Sequence, residues 1–344
     1  MKPNYTYYFK NTSLNKSKNH FKKLIFVIFI FHLLLLIIFI KIYKSKIMLE
    51  KQLYKEFKIS FYDFNFIIIK NKYSNIGLFG LYISYLGCII KYINEGFIPI
   101  IDLSSFPNIF NGFNIKKSDE NPWELFFNQP FNYKLKNIKK YAKKVKYINC
   151  ISNNRPDTTI YYKKSLLNFW HYLAEKYIPI NEEIINESNI IRNNIFNGSS
   201  NVLGILIRGT DYISRKPRGH PIQPSPDLVI NDTKIMDKKN KYDWIFITTE
   251  DDLIREKFKL KIGQKLKFIK SNKNVKYNYK NKELLAYNKN IIGNIKYMKI
   301  YLINIIILSK CIDIICSRTA GSVGTFIISK GFRNMKVYYL GRYK

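Results

Sequence analysis

Residues 202–225 read VLGILIRGTDYISRKPRGHPIQPS. The apolar run 202–207 has the length of a buried strand. It breaks at Arg208-Gly209-Thr210-Asp211, and a polar loop follows with Pro217, Gly219, His220, Pro221 and Pro224. A strand that is apolar throughout belongs in a parallel sheet covered on both faces. Ligands bind such sheets outside the carboxyl ends of the strands. Arginine offers a planar fork to phosphate oxygens there, and glycine allows a close approach to the backbone.

Two more strand ends in this half carry polar residues. The run 244–249 ends in Glu250-Asp251-Asp252, acids suited to capping a helix over 253–260. The run 311–316 ends in SRTAGSVG, residues 317–324, which opens another helix. Small hydroxyl residues and glycines at a helix N-terminus expose N–H groups to an anion. Arg208 is placed to close on the same diphosphate from an adjacent strand. The rest of this half reads as a weak helix at 226–238, a strand at 265–269, a lysine- and asparagine-rich loop at 270–282, an apolar helix at 297–308 and a last strand at 337–340.

The first half repeats the pattern. Strands are expected at 64–69 and 97–103, with Gly77-Leu78-Phe79-Gly80 as a turn and a helix over 81–94 between them. That is a βαβ unit, without the G-x-G-x-x-G of a dinucleotide site. A basic amphipathic helix is expected over 133–146, and a strand over 145–151. Helices over 161–177 and 181–194 are parted by Pro179, and residues 197–200 read as a linker. The fold class is therefore α/β, with two Rossmann-like, doubly wound domains facing a cleft.

Ahead of them lies LIFVIFIFHLLLLIIFI, residues 24–40. As a helix it spans roughly 25 Å at about 1.5 Å per residue, close to a hydrocarbon core of roughly 30 Å once flanking lysines snorkel. No small-residue cleavage site follows it, so a single retained transmembrane helix is expected rather than a signal peptide. Lysines flank it on both sides and leave its orientation open. The expected organisation is a polar tail at 1–23, an anchor at 24–43, a stem at 44–60, an acceptor-side domain at 61–198 and a nucleotide-sugar domain at 199–344.

Lys and Arg total 58 against 24 acids in 344 residues, a net charge of +34. The excess is mostly lysine spread along the chain among Asn, Ile and Tyr, which suits a solvated surface better than a nucleic-acid stripe. No nucleic-acid partner is expected. The four cysteines lack zinc spacing. Cys311 and Cys316 fall on opposite faces of one expected strand and should not pair, which leaves the redox compartment open.

Gly204-Ile205-Leu206-Ile207-Arg208-Gly209-Thr210-Asp211 is similar to the G-x-H-x-R-[RG]-T-D motif of GDP-fucose-dependent fucosyltransferases, among them the α-1,6, nodulation and protein O-fucosyltransferase groups. A set of glycosyltransferases of unassigned acceptor resembles the chain further, at 77–79, 99–102, 121–124, 129–130, 208–212, 216–225, 249–251, 309–311, 318–324 and 340–343. The resemblance implies a GT-B-like fold, a GDP-sugar as co-substrate, and inversion without a metal or other cofactor. It puts Arg208 and Gly209 at the donor phosphate, Thr249 and Glu250 by the base or ribose, and Thr319, Gly321 and Ser322 by the diphosphate. Two departures stand out. Leu206 replaces the motif histidine, and Gly209 replaces the second arginine of the α-1,6 enzymes, which weakens the assignment to fucose.

Such a transfer passes through an oxocarbenium-like state while charge builds on the departing diphosphate. Arg208 would stabilise that charge. His220, or alternatively Asp211, would take the acceptor proton. Asp251-Asp252 is adjacent rather than D-x-D and reads as a helix cap, so no metal site is expected. The acceptor would be a glycan or protein hydroxyl. The location would be a single-pass membrane protein, facing the Golgi or ER lumen in a eukaryote and the cytoplasmic face in a bacterium. The alternative is a non-catalytic, basic, membrane-tethered binder of glycans or polyanions.

Overall fold

The computed structural model describes residues 64–71, 76–106, 108, 110, 120–142, 144–150, 154–269 and 293–344. These belong to one compact unit that begins at Tyr62. The expected tail, anchor and stem, and the loop at 270–282, lie outside the described residues. Among the described residues, no helix is long and apolar enough to cross a membrane.

The first sheet is parallel, in the order β2-β1-β3. Its strands are β1 (Phe66–Lys70), β2 (Ile98–Ile101) and β3 (Val145–Asn149). Helix α1 (Leu78–Asn94) crosses from β1 to β2. It starts three residues before its expected position and absorbs most of the expected turn. Gly77 is the extended N-cap, and Gly80 is helical. A Cβ at Gly80 would stand 2.6 Å from the Ile76 side chain, so close packing explains the glycine better than a turn does. Strand β2 is an edge, and side-chain amides occupy its backbone groups. Gln129 donates to Ile101 O and accepts from Ile101 N, while Asn121 donates to Ile101 O and accepts from Leu103 N, all within 3.0 Å. The Asn121–Glu124 and Gln129-Pro130 pieces thus close a sheet edge. Of the basic segment 133–146, only α2 (Leu135–Tyr141) is helical.

Helices α3 (Lys164–Tyr177) and α4 (Glu182–Phe196) lead to the second sheet. Its five parallel strands run β6-β5-β4-β7-β8. They are β4 (Val202–Leu206), β5 (Trp244–Thr248), β6 (Leu266–Lys267), β7 (Asp313–Ser317) and β8 (Asn334–Tyr338). The helices of this half are α5 (Thr210–Arg215), α6 (Pro226–Asn240), α7 (Asp252–Ile262), α8 (Ile295–Ser309) and α9 (Ala320–Ile328). Helix α5 lies where the sequence predicts only loop, and Lys216 ends it in the left-handed region (φ 48°). Strand β7 starts at Asp313, so Cys311 sits in the turn before it. Both Cys311 and Cys316 are buried and unpaired.

Alternation along β4 splits the core. Leu203 and Ile205 face a cluster with Val229, Ile247 and Phe258 beneath α6 and α7. Val202 and Leu206 face a larger cluster shared with the first sheet, which includes Ile67, Phe79, Tyr82 and Phe326. Phe79 of α1 presses on α9 so closely that any Cβ at Gly324 would enter its ring. The first sheet carries the structure's disulfide, Cys88 of α1 to Cys150 just past β3, with Cα atoms 6.2 Å apart.

Candidate functional site

Strand β4 is the switch point of the second sheet, with β5 on one side and β7 on the other. Leu206 pairs with Thr248 of β5 and with Cys316 of β7. The chain exits at Arg208, Thr249-Glu250 and Arg318-Thr319 therefore lie side by side at the carboxyl edge, where crevices form in open α/β sheets.

The β4 exit is gripped by the β5 exit. Glu250 Oε1 lies 3.2 Å from Arg208 Nε and accepts hydrogen bonds from Gly209 N (3.0 Å) and Thr210 Oγ1 (3.1 Å). Asp251 Oδ2 accepts from Thr210 N at 3.0 Å, while its Oδ1 caps α7 through Leu253 N and Ile254 N. These bonds hold Thr210, fully buried, at φ 41°, a left-handed backbone that a β-branched residue adopts only when its surroundings enforce it. Gly209 is needed for space. A Cβ there would collide with the Asp251 carboxylate, so the glycine admits an acid of the chain itself. Thr249 Oγ1 accepts from Asp251 N at 3.2 Å. Glu250 thus holds Arg208 and its turn, and Thr249 braces Asp251.

The guanidinium of Arg208 lies 4.8 Å from the Tyr212 ring centre. Tyr301 of α8 stands in the same neighbourhood. Burial pushes its phenol up to about 12, the Arg208 guanidinium pulls it down, and Glu250 and Tyr212 add to the rise. The Tyr301 hydroxyl occupies the space at Gly321, where a Cβ would approach it to 2.5 Å. One tyrosine therefore links the Arg208 environment to the N-terminus of α9.

That terminus is a closed capping box. Thr319 Oγ1 accepts from Ser322 N (3.2 Å), and Ser322 Oγ accepts from Thr319 N (2.8 Å). The Ser322 hydroxyl also donates to Ser317 O at 2.6 Å and meets the Tyr161 hydroxyl at 2.8 Å. Ser322 is fully buried. Of the three residues expected at the diphosphate, Thr319 borders a cleft; Gly321 and Ser322 build the cap behind it.

The cleft, of about 290 Å³, is lined by Thr158, Tyr212, His220, Arg318, Thr319, Ala320 and Tyr339, and by the Gly219-Pro221 loop and the 338–342 segment. The loop is held by the C-terminal segment. Gly219 N donates to Tyr343 O (2.8 Å), Tyr343 N to His220 O (2.9 Å), Ile222 N to Gly341 O (3.1 Å), and Arg342 to Gly219 O (3.2 Å). His220 Nδ1 lies 3.1 Å from the Tyr212 hydroxyl, so Tyr212 joins the histidine at the rim to Arg208 behind it. Arg208, Gly209, Thr249 and Glu250 do not line this cleft. Asp211 is in α5, and its side chain lies outside the described residues.

Sequence reasoning misses Tyr301, whose phenol is masked inside an apolar helical run, and Tyr162, an exposed ring near the cleft. Arg318 stands within SRTAGSVG with no motif to single it out. Position alone, two residues past a paired strand residue, was the available signal. Among the described residues, no three His, Cys, Asp or Glu side chains cluster in a way that could hold a metal ion.

No protein-family model matches the sequence, and no curated protein matches it. Solved structures do. A NodZ alpha-1,6-fucosyltransferase soaked with GDP-fucose aligns at 13% identity over 78% of this chain and 93% of its own, with a TM-score of 0.44. The fucosyltransferase NodZ from Bradyrhizobium aligns at 14% over 76% and 92%, with a TM-score of 0.42. POFUT1 in complex with GDP aligns at 8% over 80% and 98%, with a TM-score of 0.46.

Proposed function

We propose that the chain is a glycosyltransferase that takes a sugar from a nucleoside diphosphate, GDP by its sequence motif, and passes it to a glycan or protein hydroxyl. The supporting observation is the switch point. Arg208 and Arg318 leave adjacent parallel strands beside a cleft that also holds the α9 N-terminus and His220.

The acceptor oxygen forms a bond to the anomeric carbon as the bond from that carbon to the diphosphate oxygen breaks. The electron pair stays on the diphosphate, and the acceptor proton passes to His220, held by Tyr212 at the rim. Arg208, aligned by Glu250 and stacked on Tyr212, braces the β4 exit, while Arg318 and the α9 N-terminus keep the cleft wall positive. Charge that grows in the transition state is stabilised more than the ground state, which is the condition for rate enhancement. No step needs a resident metal or cofactor. Residues 24–43 would anchor the enzyme in a membrane. The Cys88–Cys150 bond favours an oxidising, lumenal side for the globular part.

Incubating the full chain with GDP-fucose and related GDP-sugars, and following release of GDP with and without glycan acceptors, tests the reading. Acceptor-dependent release is expected. Failure to bind or turn over any nucleoside diphosphate sugar would overturn it.

A further inference from the structure

Arg208 and Arg318 occupy equivalent places on neighbouring strands, each two residues past the paired Leu206 and Cys316. Their surroundings differ. The Arg208 charge is met by Glu250 at 3.2 Å, and the residue stands behind Tyr212 rather than on the cleft wall. A cation already compensated by a carboxylate adds little net attraction for a further anion.

Arg318 lines the cleft. Its guanidinium lies 4.0 Å from the Tyr339 ring centre and 5.5 Å from that of Tyr162, and Nη2 donates to the Tyr162 hydroxyl at 3.1 Å. Two aromatic rings fix the plane of the fork without neutralising it. Among the described residues, no carboxylate forms an ion pair with it, and its buried Nε–H has no hydrogen-bond acceptor. A buried donor of this kind is an exception among folded proteins and calls for an acceptor. Thr319 and Ala320, next in the chain, bring the positive end of α9 to the same wall.

We infer that Arg318 is the guanidinium that contacts the terminal phosphate of the diphosphate, with Tyr162 and Tyr339 as its positioning residues. This rests on the function proposed above. When the sugar–oxygen bond breaks, the electron pair settles on that phosphate, and Arg318 faces the added charge while Arg208 acts from behind. Tyr162 lies in the segment between the two sheets, so the contact also ties that segment to the leaving group.

The test is titration calorimetry of the full chain with GDP and GMP, and with UDP and UMP, for wild type, Arg318→Gln and Arg318→Lys. Unliganded melting curves accompany each protein. Wild type should prefer the diphosphate over the monophosphate of its base. Arg318→Gln should weaken diphosphate binding tenfold or more and leave monophosphate binding within twofold, removing the preference. Arg318→Lys keeps the charge but not the fork, and should retain part of the preference even if the glutamine variant melts early. Wild-type preference in both variants overturns the inference and leaves the proposed function standing, as does an equal loss for diphosphate and monophosphate. A wild type that binds no nucleoside diphosphate overturns both.

Discussion

Arg208 carries a motif-bearing charge anchored by Glu250. Replacing it with Ala removes the partner of Glu250 and leaves a carboxylate 10% exposed beside Gly209 and Thr210. Glycosyl transfer should fall about tenfold or more as the turn that positions Tyr212 loses its anchor, and steady-state release of GDP measures it. A Glu250→Gln variant should lose part of the same rate, because Arg208 then lacks its charged anchor. Gly209 makes a different prediction. Adding a methyl group there drives into Asp251 and Ile254, and Gly209→Ala should cost about 1–3 kcal/mol in urea unfolding. The sequence marks Gly209 as unusual, yet its cause is a packing contact 42 positions away, which local pattern cannot supply.

Strands β4, β5 and β7 are legible because each is a dense apolar run that stops at a polar residue. Edges and termini are less so. Helix α1 starts early because Gly80 is excused by packing, and α5 hides in a proline-containing loop because the Glu250 and Asp251 side chains, not its own sequence, hold its first turn. The pairing of Cys88 with Cys150 is not readable from spacing, since α1 and the end of β3 meet only in the fold. That bond closes a separation of 62 residues. Cys88→Ser should lower unfolding stability by about 2–4 kcal/mol relative to the oxidised protein, and alkylation with mass mapping should find Cys88 and Cys150 protected until reduction. Asp313 at the start of β7 adds a pH signature. Burial pushes its carboxyl up, but Arg333, Tyr242 and Asn334 together hold it below the usual carboxylate range. A depressed pKa contributes stability that is present above the unfolded-state value of about 3.9 and is lost as pH falls through the folded value. Asp313→Asn should therefore lower the Tm at pH 7 and converge on wild type in acid.

The two halves share one core, with Phe79 seated against Gly324 and Tyr301. The architecture follows from alternating strands and helices, but the shared core does not, because contacts between halves have no periodicity in sequence. The high positive charge makes salt a useful discriminator. A polyanion held by six to ten lysines should lose about 10³–10⁵ in affinity between roughly 50 and 200 mM salt, whereas GDP held by one or two arginines should lose far less. A specific diphosphate site also predicts that GDP at a hundred times its Kd stabilises the fold by about 2.7 kcal/mol.

The strap from Gly341 to Tyr343 has a practical consequence for anyone handling this protein. Removing residues 342–344 would unfasten the His220 loop, whose backbone is bonded to both the N–H and the C=O of Tyr343. Deletions that remove this strap should silence turnover before they disturb melting.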